Sequence, residues 1–254
     1  GVMSPETHVR SLPGLRGILL GFSLGTGLLV TPESATAQTS SVTIGDIRVM
    51  TPRRQILPEI PGGFTFCRLI YARTRREQRG QGWRTDYPDG DSNLMTRLSQ
   101  LTPTPISEWL DGRPGFAVLR ATDSELFRCP FLFSSDVGTA GFGNEEVENL
   151  REYILKGGFL WADDFWGRPA WSHWVGQIER VFPEFPIEDL PLEHPLFSIV
   201  YQVKEIPQIP SIQYWRQSGG RTSELGAMSS TPRLRVIRDE TGRILVLMSH
   251  NTDI

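Results

Sequence analysis

Phe131-Leu-Phe-Ser-Ser135, Asn144-Glu-Glu-Val-Glu-Asn-Leu-Arg-Glu-Tyr-Ile-Leu-Lys156 and Phe159-Leu-Trp-Ala162 follow one another closely, and this succession decides the fold. The first stretch is nearly all apolar at its start, as expected for a strand covered on both faces. The second reads as a helix from Asn144 to Lys156. Asn144 caps it, Glu145 and Glu146 sit on the positive end of its dipole, and Gly157-Gly158 stops it. Val147, Leu150 and Ile154 share its core face, and Phe159 to Ala162 begins a further strand. A strand, a helix and a strand in that order make a parallel crossover unit.

Outward from this unit the alternation continues. Phe64-Thr-Phe-Cys-Arg-Leu-Ile-Tyr71 reads as a first strand, followed by a loop with turn signals at Gly80, Gly82 and Tyr87-Pro88-Asp89-Gly90-Asp91. Asp91 and Ser92 are candidate caps for a helix carrying Leu94, Leu98 and Leu101, which Pro103 ends. Phe116 to Arg120 is a second strand, and Thr122-x-x-Glu125 a capping box for one short helical turn. Trp171, Trp174, Val175, Ile178 and Val181 mark one face of a later helix. Residues 183–232, rich in Pro and Gly, read as an irregular excursion. Leu234 to Arg238, a turn through Asp239 to Gly242, and Arg243 to Ser249 close the chain as a hairpin. The expectation is one α/β domain over residues 60–254: an open, mostly parallel sheet with helices on both faces and a C-terminal β-hairpin.

Composition narrows the function. The chain has 254 residues, 26 Lys+Arg against 29 Asp+Glu, and a net charge of -3, which provides no field for holding nucleic acid. Only Lys156 and Lys204 are lysines. Two cysteines, Cys67 and Cys129, exclude a disulfide-dense scaffold or a thiolate zinc site; two buried thiols are the favoured reading and a bridge between them the alternative. Residues 1–37 carry Arg10 and Arg16, an uncharged stretch from Gly17 to Val30, and Ala35-Thr36-Ala37. This is the pattern of a secretory signal peptide, too short in its apolar part to remain as a membrane span. A periplasmic or secreted protein is expected, with residues 38–59 a flexible segment after cleavage.

Ligands of open α/β sheets bind beyond the carboxyl ends of the strands, and that rule selects the candidates. Arg73, Trp83, Asp86 and Tyr87 follow strand one, and Asp136 follows strand three. Asp163, Asp164 and Trp166 follow strand four, and His250 and Asp253 follow the hairpin. Clustered carboxylates shift one another's pKa and suit acid/base work or a hard cation, whereas helix caps and loop salt bridges are their structural reading. Asp163 and Asp164, neighbours in an extended strand, face opposite sides. Tryptophans beside carboxylates suit a sugar platform, although Trp171 and Trp174 fall on a core face. Gly138-x-x-Gly141-x-Gly143 lacks the spacing of a phosphate cradle and reads as a flexible turn. No nucleophile elbow follows any strand, and no cofactor or local metal motif is found. Six Arg and one Glu from Arg68 to Arg84, against eleven acids and four bases from Glu145 to Glu193, make the chain dipolar.

Phe64-Thr-Phe-Cys-Arg-Leu-Ile-Tyr71, Gly82-Trp-Arg-Thr-Asp-Tyr-Pro-Asp89, Glu145-Glu-Val147, Gly157-Gly-Phe-Leu-Trp-Ala-Asp-Asp164 and His250-Asn-Thr-Asp253 together resemble a bacterial family, domain of unknown function four-one-five-nine. The resemblance implies a flavodoxin-type sheet similar to the class I glutamine amidotransferases, but the elbow cysteine of those enzymes is missing here. It also implies a further acidic, tryptophan-containing stretch and a final helix beyond the last motif, so the domain is expected to be truncated at its C-terminal end. Two functions are open at this point. One is a non-catalytic module binding a small molecule, a glycan or an envelope protein at the strand-end rim. The other is a hydrolase in which Asp136, Asp163 or Asp164 serves as base or cation ligand, assisted by His250, on a glycan or peptide-like substrate.

Overall fold

The computed structural model describes residues 41–44, 47–50, 63–77, 80–109 and 111–253. The signal-peptide pattern over residues 1–37 lies outside the described residues. Within 38–59, Ser41–Ile44 and Ile47–Met50 pair antiparallel.

The main sheet has seven strands: β1 (Phe66–Ile70), β2 (Phe116–Arg120), β3 (Phe131–Ser135), β4 (Leu160–Phe165), β5 (Ile187–Asp189), β6 (Arg233–Arg238) and β7 (Ile244–His250), in the order β2-β1-β3-β4-β7-β6-β5. Strands β2, β1, β3, β4 and β7 run parallel, and β6 returns antiparallel between β7 and β5. The chain first winds outward to β2 and then turns back through β3, so the order reverses between β1 and β3. Such a reversal opens a crevice at the carboxyl ends of those strands.

Alternation along the strands divides the core. Cys67 and Leu69 of β1, Leu132 of β3 and Leu160 and Ala162 of β4 meet α2 (Asn144–Leu155) and α3 (Gly167–Val181) through Leu150, Ile154, Trp174 and Ile178. Phe66, Phe116 and Phe133 face the other way, onto Met95 of α1 (Asp89–Leu101). Helices therefore cover both faces, and each fully buried Leu or Phe contributes about 1.5–3 kcal/mol.

Several local expectations are corrected. Cys67 and Cys129 form a disulfide rather than two free thiols, because β1 and the residue before Pro130 lie side by side, with Cα atoms 6.1 Å apart. Helix α1 starts at Asp89, inside the expected turn, and Asp91 is buried in its first turn instead of capping it. Thr122 opens no capping box; the short turn is Ser124–Arg128, and the Asp123 carboxylate accepts the Arg120 N–H at 2.8 Å. Helix α2 is capped from Gly143, whose N–H donates to Glu146 Oε2 at 2.8 Å. The Gly138–Gly141 run is close-packed rather than flexible: a Cβ on Gly138 would lie 2.5 Å from Cβ of Ala170 on α3. The excursion over residues 183–232 contributes edge strand β5 and the short helix α4 (Ile212–Gln217). Among the described residues no helix is long and apolar enough to cross a membrane.

Candidate functional site

The carboxyl ends of β1, β3, β4 and β7 open into a cleft of about 500 Å³. Among the described residues its charged lining is Asp86, Asp136, Asp164, Glu224 and Asp253, with no Lys, Arg or His.

Four of the five acids are delivered by sharp turns of the chain. Asp86, Asp136 and Asp164 hold φ of +59°, +50° and +54°, and Asn251, two residues before Asp253, holds +62°; these are the positive-φ non-glycine residues among the described residues. Aspartate and asparagine visit this left-handed region more readily than other L-residues, and strained backbone gathers at functional sites. After β3, Asp136 donates its N–H to Asp163 O at 3.0 Å, while its Oδ2 accepts the Gly82 N–H at 2.7 Å. Tyr71 Oη braces the same turn, 2.7 Å from both Ser135 O and Asp136 O. Gly80 is required here, because a Cβ on it would lie 2.2 Å from Asp136 Oδ2. Burial pushes the Asp136 carboxyl up to about 7, helped by the nearby charge of Glu77 and opposed by the Gly82 N–H, Arg73 and Arg75.

Strand β4 runs on to Phe165, so Asp163 and Asp164 both lie within it, and the positive φ at Asp164 interrupts its extended backbone there. Asp163 is buried at the register position of Ser135, away from the cleft lining. Asp164 faces the cleft, where Trp166 Nε1 donates to its Oδ1 at 2.9 Å. Burial, then the charges of Asp253 and Asp163, hold this carboxyl well above the usual carboxylate range. Beyond β7, Asn251 pins the chain: its N–H donates to Phe165 O at 3.0 Å, its Oδ1 accepts the Gly167 N–H at 2.8 Å and its Nδ2 donates to Thr231 O at 2.8 Å. Asp253 is thereby brought to the cleft, where burial and the charges of Asp86 and Glu224 push it up to about 6. Asp86 is also raised by burial, against the pull of Arg68. One carboxylate oxygen from each of Asp86, Asp164 and Asp253 lies within 4.8 Å of the others. Oxygen ligands so placed can hold a hard cation or accept from a single ammonium group.

The other candidates lie elsewhere. His250 does not reach the rim: it is buried, with its ring 5.0 Å from Phe165 and 5.1 Å from Trp171 between centroids. Its Nε2 donates to Gly167 O at 3.1 Å and its Nδ1 faces Arg235 Nη1 at 3.4 Å, and burial lowers it to about 4. It is a neutral packing residue and cannot assist at the cleft. Tyr87 packs edge-on against Phe116, and Trp83 lies tilted against Tyr87 with the Arg84 guanidinium over its ring. Arg73 is exposed on the two-residue strand Ala72–Arg73, with its Nη2 3.3 Å from Gly80 O, behind the loop that lines the cleft.

Two features escaped the sequence reading. Ser211, Tyr214, Gln217 and Glu224 enter the cleft from the excursion, with the Ser211 N–H donating to Glu224 Oε1 at 2.7 Å; that segment has no periodicity to announce them. The second is a buried ion pair, Arg68 Nε to Asp91 at 2.8 and 3.0 Å, with Arg68 Nη1 donating to Trp83 O and Thr85 O. A signal for it existed, since an arginine between Cys67 and Leu69 in a buried strand demands a partner. A family model described as Domain of unknown function (DUF4159) matches residues 65–254. No curated protein matches the chain.

Proposed function

On the premise that this chain belongs to the DUF4159 family, we propose that its domain is a non-catalytic binding module whose strand-end cleft takes a positively charged ligand. The observation that carries this reading is that the charged residues lining the cleft, among the described residues, are all acidic. Like charges gathered at one cleft, Asp164 and Asp253 half-buried and Asp86 exposed, repel one another, and a cation relieves that cost on binding. The three aspartates held at positive φ support the reading as well.

In this reading the scaffold is amidotransferase-like without amidotransferase chemistry. The flavodoxin order of its parallel strands supports the likeness, and the absence of a thiolate nucleophile follows from the bridging of both cysteines. We also place the protein in the periplasm or outside the cell. The pattern of residues 1–37 and the Cys67–Cys129 bridge support export, since such bridges persist in oxidising compartments.

The test is a chemical-shift titration of the protein at pH 8 with ethylamine, Ca²⁺ and acetate. Saturable binding of a cation, with shifts centred on Asp86, Asp164 and Asp253 and lost in Asp164→Asn, supports the reading; binding of acetate there overturns it. A second reading, hydrolysis, is favoured by one observation, an Asp136 carboxyl at about 7 that can hold or release a proton near neutrality. Turnover of a glycan or peptide that disappears in Asp136→Asn would replace binding by hydrolysis.

A further inference from the structure

A second cavity of about 430 Å³ opens beside the acid cleft, and Asp86 and Asp253 stand in the walls of both. Much of its remaining wall differs in kind: Phe66, Phe133 and Trp161 from the sheet and Leu94 from α1 make an apolar slot, with Asn93 and Ser135 beside them. Packing fixes the rings, with centroids 5.3 Å apart for Phe66 and Phe133 and 5.7 Å for Phe133 and Trp161. Trp161 Nε1 donates to Ser249 Oγ at 2.8 Å, so its polar atom is already satisfied. Arg68 also touches the slot, but Asp91 and two carbonyls hold its guanidinium. Arg97 stands exposed at the slot, its Nη1 donating to Gln100 at 2.9 Å.

A preformed aromatic slot that ends on a wall of carboxylates selects a ligand with two unlike ends. We infer that the occupant is a small primary amine carrying an aryl or branched alkyl group, with its ammonium among Asp86, Asp164 and Asp253 and its apolar group in the slot. The acceptors around one ammonium at hydrogen-bonding distance stand about 4.7 Å apart, and the three carboxylate oxygens lie within 4.8 Å of one another. The two cavities are of small-molecule size, roughly 300–1,000 Å³. The inference rests on the cation-binding reading and adds the apolar half of the ligand.

Phenethylamine, ethylamine and 2-phenylethanol are titrated separately into the protein and its Leu94→Gln variant at pH 8. Burial of the phenyl group makes phenethylamine bind about 10- to 100-fold more tightly than ethylamine, and 2-phenylethanol at least about tenfold more weakly than phenethylamine. Leu94→Gln removes most of the phenethylamine advantage and leaves ethylamine binding unchanged, which also shows that the variant is folded. Equal affinity for the two amines overturns the slot and leaves the cation reading standing. Failure of both amines overturns the amine ligand together with the inference. Phenylethanol binding as tightly as phenethylamine overturns it by making the acids irrelevant.

Discussion

The loop between β1 and α1 has a matched charge on one side and unmatched charges on the other. Below it, Arg68 and Asp91 are both buried, yet Arg68 Nε donates to both oxygens of Asp91 and its Nη1 to the carbonyls of Trp83 and Thr85. Above it, Asp86 meets Asp164 and Asp253, and among the described residues no basic side chain lines the cleft beside them. The fold completes the first arrangement by itself, so the pair serves stability. The second is left incomplete by the fold, and in the function proposed above a cationic ligand completes it.

The contrast is broken most severely by Asp91→Ala, which leaves Arg68 buried without its carboxylate and costs about 3–5 kcal/mol, read by urea denaturation. Arg68→Met combined with Asp91→Leu recovers most of that loss, because an apolar pair needs no partner. Asp136→Asn works in the opposite direction. A folded-state value of about 7 against 3.8 means that the wild type loses stability as pH rises between those values. The variant, which suits the same left-handed backbone, gains on the order of 2–4 kcal/mol by pH 8 and little at pH 4.

His250 reverses that sign. With about 4 in the fold against 6.5 in its absence, it contributes stability fully above pH 6.5 and loses it as pH falls to 4. Thermal denaturation across this window loses on the order of 1–3 kcal/mol from this residue, and His250→Gln removes that dependence. Asp253→Asn sharpens the comparison by separating stability from binding: it gains about 1 kcal/mol, growing between pH 4 and 6, while cation affinity falls. The smallest effect is Trp166→Phe, which deletes the donor to Asp164 and changes stability by about 1 kcal/mol or less.

Much of the site was legible, but unevenly. Asp86, Asp136, Asp164, Trp166 and Asp253 line the cleft because they follow strand ends that all open on one side. Tyr87 and Trp83 follow the same strand, yet their rings carry more apolar surface than the rim can leave in water, and they pack inward on Phe116 and the core. His250 has the residue type of a general base and the wrong face of the chain. It ends β7 against Phe165, and only the turn at Asn251 brings the next acid around to the cleft.

The sequence by itself determined the elements and their kind, because the apolar periodicity that separates strand from helix is read over a few residues. It determined the parallel direction of β1 to β4 too, since consecutive strands there are joined by crossovers, whereas the direction of β7, reached through the excursion and β6, was left open. Which acids meet was decided only in three dimensions. Asp86, Asp164 and Asp253 come from distant segments, and their meeting depends on strand order, on the register of β3, β4 and β7, and on single residues at positive φ that redirect the chain. Local patterns carry no such long-range information, so repulsion that a sequence shows as scattered charge becomes a site only once the sheet closes its ends together.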